Sequence, residues 1–379
     1  MKKFLLVLLA ALMILTCACQ NTDSDTTALD DDTTEIESSQ IDAAESEPAD
    51  TEPAETEAPE TEAPIVLSPE MQEKLGGYIP KKWQSGIDEI MSNVPDDFMF
   101  AVQTDTHYST LSGGTTANNL KALSHFIPLS FYANLGDYIK GYYAGDAGKS
   151  DNTPELTMTS LKELTVRYLE DANCPVLITF GNHDTNALWC KYYGEANQQL
   201  TQTDHYEQVT SKIKSHNGSA MVTDGESNYY YVDFPFDDVR VVMLNTTDGN
   251  YENSFESVST ISDRQAEWFE TVALDTDMNV LVMAHIPLCK DFPDSSGSLP
   301  YNAEKITSAV EAFIKDGGKF VAYMYGHTHA QTDILDENGR LHISFRNGGG
   351  NAEVVAINFK ARKIYTFGLG DVEGRDFRY

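Results

Sequence analysis

Five short strings of metal-ligand residue types recur along the chain: Asp105-Thr-His107, Gly136-Asp137, Gly181-Asn182-His183-Asp184, a single His285, and Gly326-His327-Thr-His329. Together they hold five of the nine histidines. Imidazole and carboxylate in combination suit Mn, Fe, Zn or Co, and suit Mg or Ca less well against so many histidines. Taken singly, each string is weak. Asp-x-His and Gly-Asp are common in ordinary turns, and a lone histidine is usually structural. The set gains weight from a shared context.

Each string follows directly on a short apolar run: "FMFAVQ" before Thr104, "LSFYANL" before Gly136, "PVLITF" before Gly181, "NVLVMA" before His285 and "KFVAYMY" before Gly326. Runs of this length, bounded by turn residues, read as buried strands. Amphipathic stretches at helical spacing separate several of them, at 118–126, 154–169, 262–274 and 302–314, and Ser262 with Gln265 fits a capping box. A further helical pattern, "KKWQSGIDEIMSNV", precedes the first run. "NYYYVDF" and "VRVVMLNT" alternate about a short turn, as a hairpin or adjacent strands would. "RLHISF", "EVVAINF" and "KIYTFGL" make the C-terminal end strand-rich. The expected fold is therefore α/β with mixed sheets, two of them packed together with helices outside. Ligands in such sheets collect at the carboxyl ends of strands, so five strand ends would deliver Asp105 and Asp137, one Asn and five His to one rim.

The ordered set resembles the calcineurin-like metallophosphoesterase superfamily, over about residue 98 to the C-terminus. That resemblance implies a four-layer αββα sandwich and two divalent or mixed-valence metal ions. It implies Asp105, His107 and His329 as ligands of the first ion, Asn182, His285 and His327 as ligands of the second, and Asp137 as the carboxylate shared by both. It also implies His183 as a non-ligand catalytic histidine beside the phosphate. The physics is compatible: a shared carboxylate offsets repulsion between two cations, the ions acidify a water, and a histidine can protonate a departing alkoxide. The pattern departs from two branches. Lys140 stands where purple acid phosphatases carry a metal-binding Tyr, and where protein serine/threonine phosphatases carry the Asp that orients the catalytic histidine. Asp184 is the nearest substitute in sequence. The motif set also resembles class III cyclic nucleotide phosphodiesterases and broad phosphodiesterases of the superfamily.

The first residues have a different character. Residues 1–18 read as a lipoprotein-type signal peptide, with Lys2 and Lys3 before an apolar run too short to span a bilayer. "LTCACQ" resembles a lipoprotein cleavage box with Cys19, or alternatively Cys17, as the lipidated residue; plain secretion is the other reading. Residues 19–66 form an acidic Thr/Glu/Pro/Ala tract, with 16 acidic and no basic side chains in 20–66, and read as a disordered tether. Residues 67–97 are a helical lead-in, and 98–379 the catalytic domain. The chain carries a net charge of −33, and residues 67–379 retain 43 acidic against 24 basic side chains. That balance, with no basic stripe, argues against stable nucleic-acid binding.

Beyond the signal and its cleavage box only Cys174, Cys190 and Cys289 remain, too few and too irregular for a disulfide framework. Cys174 precedes one apolar run and Cys289 follows another, an arrangement expected at opposite ends of a parallel sheet. Residues 185–227 read as a cap-like insertion. There Trp189 and Tyr192 either stack on substrate or hold the insertion in place, and Lys140 either reaches a substrate phosphate or lies on the surface. The function expected is hydrolysis of a small or envelope phosphoester by an exported, membrane-anchored enzyme facing the extracytoplasmic side. The alternative is a non-catalytic surface lipoprotein that binds a phosphorylated or glycan ligand.

Overall fold

Phe98–Gln103 (β1), Phe131–Leu135 (β2) and Val176–Thr179 (β3) are buried at every position and pair in parallel. A strand buried on both faces in this way is stable only between two covering layers. These observations come from a computed structural model that describes residues 79–92, 98–111, 116–141, 152–193, 199–249, 259–290, 292, 299–346, 348 and 350–379. The signal, Cys17, Cys19 and the acidic tether lie outside the described residues. No helix among the described residues is long and apolar enough to cross a membrane.

Two mixed sheets carry the fold. The first adds Ala352–Asn358 (β11), Lys363–Leu369 (β12) and Arg375–Arg378 (β13), in the order β13-β12-β11-β1-β2-β3. The second is built from Met221–Thr223 (β4), Tyr230–Phe234 (β5), Val239–Met243 (β6), Asn279–Ala284 (β7), Lys319–Tyr325 (β8), Thr332–Leu335 (β9) and Leu341–Ser344 (β10). Its order is β4-β5-β6-β7-β8-β10-β9. Strands β6, β7, β8 and β10 run parallel, while β5 pairs antiparallel with β6 as the hairpin pattern anticipates.

Side chains alternate across β7. Leu281 and Met283 join the core between the sheets, whereas Val280, Val282 and Ala284 join a second core beneath the outer helices. Phe234 bridges the sheets, 5.3 Å from the rings of both Phe98 and Phe131.

The helices are Gln84–Ser92 (α1), Thr116–Ser124 (α2), Pro154–Leu169 (α3), Ala187–Tyr193 (α4), Gln202–His205 (α5), Ser211–Asn217 (α6), Asp263–Trp268 (α7) and Ala303–Lys315 (α8). Tyr168 of α3 covers the outer face of the first sheet, where Asn134 donates to its hydroxyl at 2.8 Å. Helices α7 and α8 cover the second sheet. The result is the αββα layering that the strand pattern leads one to expect.

Three expectations are corrected. The stretch 262–274 is not one regular helix, because α7 passes into a π turn over Phe269–Ala273. Its capping box is only half made: Ser262 accepts from Gln265 N, but the Gln265 side chain instead pairs with both backbone groups of Asn245. Cys174 and Cys289 do not flank one sheet, since β3 and β7 belong to different sheets; Cys174, Cys190 and Cys289 are all free.

Candidate metal centre

Parallel pairing sends the ends of β1, β2 and β3 to one edge of their sheet, and those of β7 and β8 to one edge of theirs. The five strings follow these ends, and their loops are laced together by backbone bonds. Asp105 N donates to Gly136 O at 2.9 Å, His107 N to Asp137 O at 3.0 Å, and Gly326 N to His285 O at 3.1 Å. Carboxylates extend the lacing. Asp137 Oδ1 accepts from His183 N at 2.7 Å, and Asp105 Oδ2 accepts from His327 N at 3.0 Å.

The backbone is strained at these positions. Asp105, His107, Asp137, His327 and His329 all adopt left-handed conformations, with φ between 46° and 66°. Non-glycine residues persist there only where surrounding contacts over-determine them, at a cost of about 1–3 kcal/mol each. Close approach explains a motif glycine as well. A Cβ on Gly136, where φ is +93°, would lie 2.7 Å from His285 Nδ1.

Three groups of side chains converge. The potential ligand atoms of Asp105, His107 and His329 lie within 4.8 Å of one another, as do those of Asp137, His285 and His327. A third group, His107, Asp137 and His183, joins the other two. Asn182 Oδ1 stands 3.3 Å from His285 Nε2 and so belongs with the second group. All eight candidate residues therefore meet at one rim.

The donor set fits cations. Asp105 is buried, and its Oδ1 makes no hydrogen bond although His329 Nε2 lies 3.1 Å away. His107 and His329 turn Nε2 atoms toward each other at 3.4 Å, as two nitrogen ligands would around one ion. His285 engages the Leu135 carbonyl through Nδ1 at 2.8 Å, which directs Nε2 into the site, 3.2 Å from Asp137 Oδ2. Fixing a histidine tautomer through its remote nitrogen is a recurring feature of metal sites.

Electrostatics follow from burial and mutual charge. Burial by itself would lift the Asp137 carboxyl, yet the imidazoles of His285, His183 and His107 outweigh it and hold the group below the usual carboxylate range. Burial would depress His285, but the Asp137 and Asp105 carboxylates prevail and raise it to about 9. His107 is pushed down to about 4, chiefly by burial. The Asp105 carboxylate raises His329.

The partner of His183 is one that no sequence pattern displays: its Nδ1 sits 2.8 Å from the backbone carbonyl of Lys140. Its Nε2 faces the site, 3.7 Å from Asp137 Oδ2. Asp184 is excluded as that partner. Its buried carboxylate accepts instead from Ile139 N at 3.0 Å and Gly181 N at 2.7 Å, clamping two of the motif loops together.

The Lys140 side chain is half-buried. Trp189 is 4% exposed and packs on Tyr193 with ring centroids 5.0 Å apart, so its faces are not presented for stacking. The Tyr192 side chain lies outside the described residues. Two rim positions escaped the sequence reading. Strand β6 runs parallel to β7 and β10 parallel to β8, so Asn245 and Arg346 also emerge at strand ends on this edge. The detectable signal was a buried strand followed by polar residues without a metal-ligand string.

Residues 98–331 match the calcineurin-like phosphoesterase family. Among solved structures, a dimetal phosphatase from Danio rerio is 16% identical, with a TM-score of 0.52, covering 75% of this chain and 100% of its own. A 5'-nucleotidase from Candida albicans is 14% identical with a TM-score of 0.39, covering 69% of this chain. The match takes in 47% of that nucleotidase, about half its length. A phosphopantetheinyl hydrolase from Mycobacterium tuberculosis is 14% identical with a TM-score of 0.35, covering 66% of this chain and 90% of its own. No curated protein matches the sequence. With the family match spanning well over half of the chain, this protein belongs to the calcineurin-like phosphoesterase family and is a metallophosphoesterase.

Proposed function

We propose that the chain hydrolyses a small or envelope phosphoester, mono or di, at the extracytoplasmic face of a membrane to which it is lipid-anchored. The observation that carries the chemistry is the pair of three-residue ligand groups joined through Asp137 and His107. Asp105, His107 and His329 would hold one ion, and Asn182, His285 and His327 the other, with Asp137 serving both. Divalent cations bound there supply Lewis acidity toward phosphoryl oxygens and lower the pKa of water. Mn, Fe, Zn and Co all suit the imidazole-rich donor set. Asp137, common to two of the ligand groups, would neutralise part of the charge there, and His183, oriented by the Lys140 carbonyl, presents Nε2 to protonate the leaving oxygen. Activity on p-nitrophenyl phosphate or its bis ester is expected to vanish on chelation and return with added Mn. Failure of every divalent metal to restore hydrolysis of either ester would sink the proposal.

Because His285 titrates at about 9 in the metal-free chain, it is protonated at neutral pH and must lose that proton to become a ligand. Metal uptake at pH 7 is thus expected to release at least one proton, with affinity rising roughly tenfold per pH unit up to about pH 9. Calorimetry in buffers of differing ionisation heat would read this directly, and uptake with no proton release would remove His285 from the ligand set.

Anchoring rests on the cleavage-box resemblance around Cys19. Cys19→Ala is expected to abolish lipid labelling and free the protein from the membrane fraction. Labelling lost only in Cys17→Ala would move the anchor, and no labelling in the unmodified chain would favour secretion.

A further inference from the structure

Cavities elsewhere on the described surface reflect the acidity of the chain. The groove between α7 and α8, for example, sets Glu270, Asp275, Asp277 and Asp316 against Lys319 alone. One cavity of about 600 Å³ inverts that balance: Lys319, Arg340, Lys360 and Arg362 line it, and no acidic side chain does. It lies at the pole remote from the metal-ligand rim. Asn279 and Lys319, which line it, open β7 and β8, whose other ends lead to His285 and His327. At about 3.3 Å per residue, that separation is roughly 20 Å. Arg362 and Lys360 come from the turn between β11 and β12 of the other sheet, so the cavity spans the ends of both sheets.

The cations are incompletely neutralised. Lys319 pairs at 2.8 Å with Asp238, which is not part of the lining. The Arg340 side chain is only 13% exposed, and its Nε and Nη1 are buried without a hydrogen bond; the nearest carboxylates, Glu311 and Asp336, stand 3.9 Å away. Arg362 donates through Nε at 2.7 Å to the main-chain oxygen of Tyr379, the last residue, whose α-carboxylate is thus its counter-charge and leaves Lys360 the least neutralised of the four. Lys360 has no ion pair among the described residues. The Tyr379 hydroxyl, on another lining residue, is buried with no partner. Like charges gathered in a concave, partly desolvated space repel one another and focus a positive potential, and an anion relieves both. Guanidinium forks are well matched to phosphate and carboxylate oxygens.

We propose that this cavity binds a small polyanion carrying two or more phosphate or carboxylate groups, independently of the catalytic rim. The test is calorimetric titration of the full chain, stripped of metal and then freed of chelator by gel filtration, with inorganic tripolyphosphate and, separately, with tricarballylate. Saturable one-site binding is expected that weakens with salt and falls at least tenfold in Lys360→Glu and in Arg362→Gln. Binding should be retained in Asp137→Asn. Hydrolysis of p-nitrophenyl phosphate by metal-loaded Lys360→Glu should match the unmodified protein, which shows that the variant is folded. Preference for tripolyphosphate would name phosphates as the ligand class, and preference for tricarballylate would name carboxylates; either supports the site. No saturation with either probe, equal affinity in Lys360→Glu, or loss confined to Asp137→Asn would overturn it. Since the titration needs no turnover, its outcome is separate from that of the phosphoesterase assay.

Discussion

Asp137→Asn is expected to lower phosphoester turnover by about a hundred- to a thousandfold, the scale seen when one fixed electrostatic partner of a reaction centre is lost. The substitution preserves shape and can still accept from His183 N, a bond now 2.7 Å long. What it removes is the buried negative charge that faces His285, His183 and His107. In the loaded protein the same charge would be shared between two cations. Metal content measured after gel filtration is therefore expected to fall below two ions per chain. The metal-free melting temperature separates this effect from unfolding: a variant that melts normally and has lost its metal supports the assignment. Full activity with two bound ions would remove Asp137 from its proposed place.

His183→Asn carries the second large effect. A positioned general acid is worth about 10²–10⁴-fold, so turnover is expected to fall within that range while both metals remain. The loss should be greatest for an alkyl phosphate, whose leaving oxygen needs the proton, and smallest for a p-nitrophenyl ester, whose leaving group departs readily. The structure favours this division of labour. His183 is tied through Nδ1 to the Lys140 carbonyl, and its Nε2 is held 3.7 Å from Asp137 Oδ2, at the junction of the two ligand groups. Equal losses on both substrates, accompanied by loss of metal, would make His183 a ligand instead.

The Lys140 carbonyl also shows where sequence reading stops. Side-chain types alone point to an acidic partner for His183, with Asp184 the nearest substitute in sequence. The fold uses a main-chain oxygen, which every residue type carries and no sequence marks. Asp184 turns the opposite way because its carboxylate is consumed by Gly181 N and Ile139 N. Similarly, Gln265 is placed correctly for a capping box, but the end of β6 competes successfully for its side chain. Trp189 reads equally as a stacking platform or as packing until burial decides for packing.

By itself the sequence determined ten of the thirteen strands among the described residues, all but β4, β9 and β13, together with the candidate ligand types and their order. Apolar runs of strand length and the polar strings that end them are local features, and local chemistry survives any tertiary arrangement. Only the tertiary structure decided that β1, β2, β3, β7 and β8 end at a common rim, since parallel pairing joins segments far apart in the chain. It also decided which histidines face one another, which five candidate ligand residues bear left-handed backbone, and that β6 and β10 bring Asn245 and Arg346 to the same edge. Strained dihedrals and main-chain acceptors depend on the summed contacts around them, and such sums exist only once the sheets have packed.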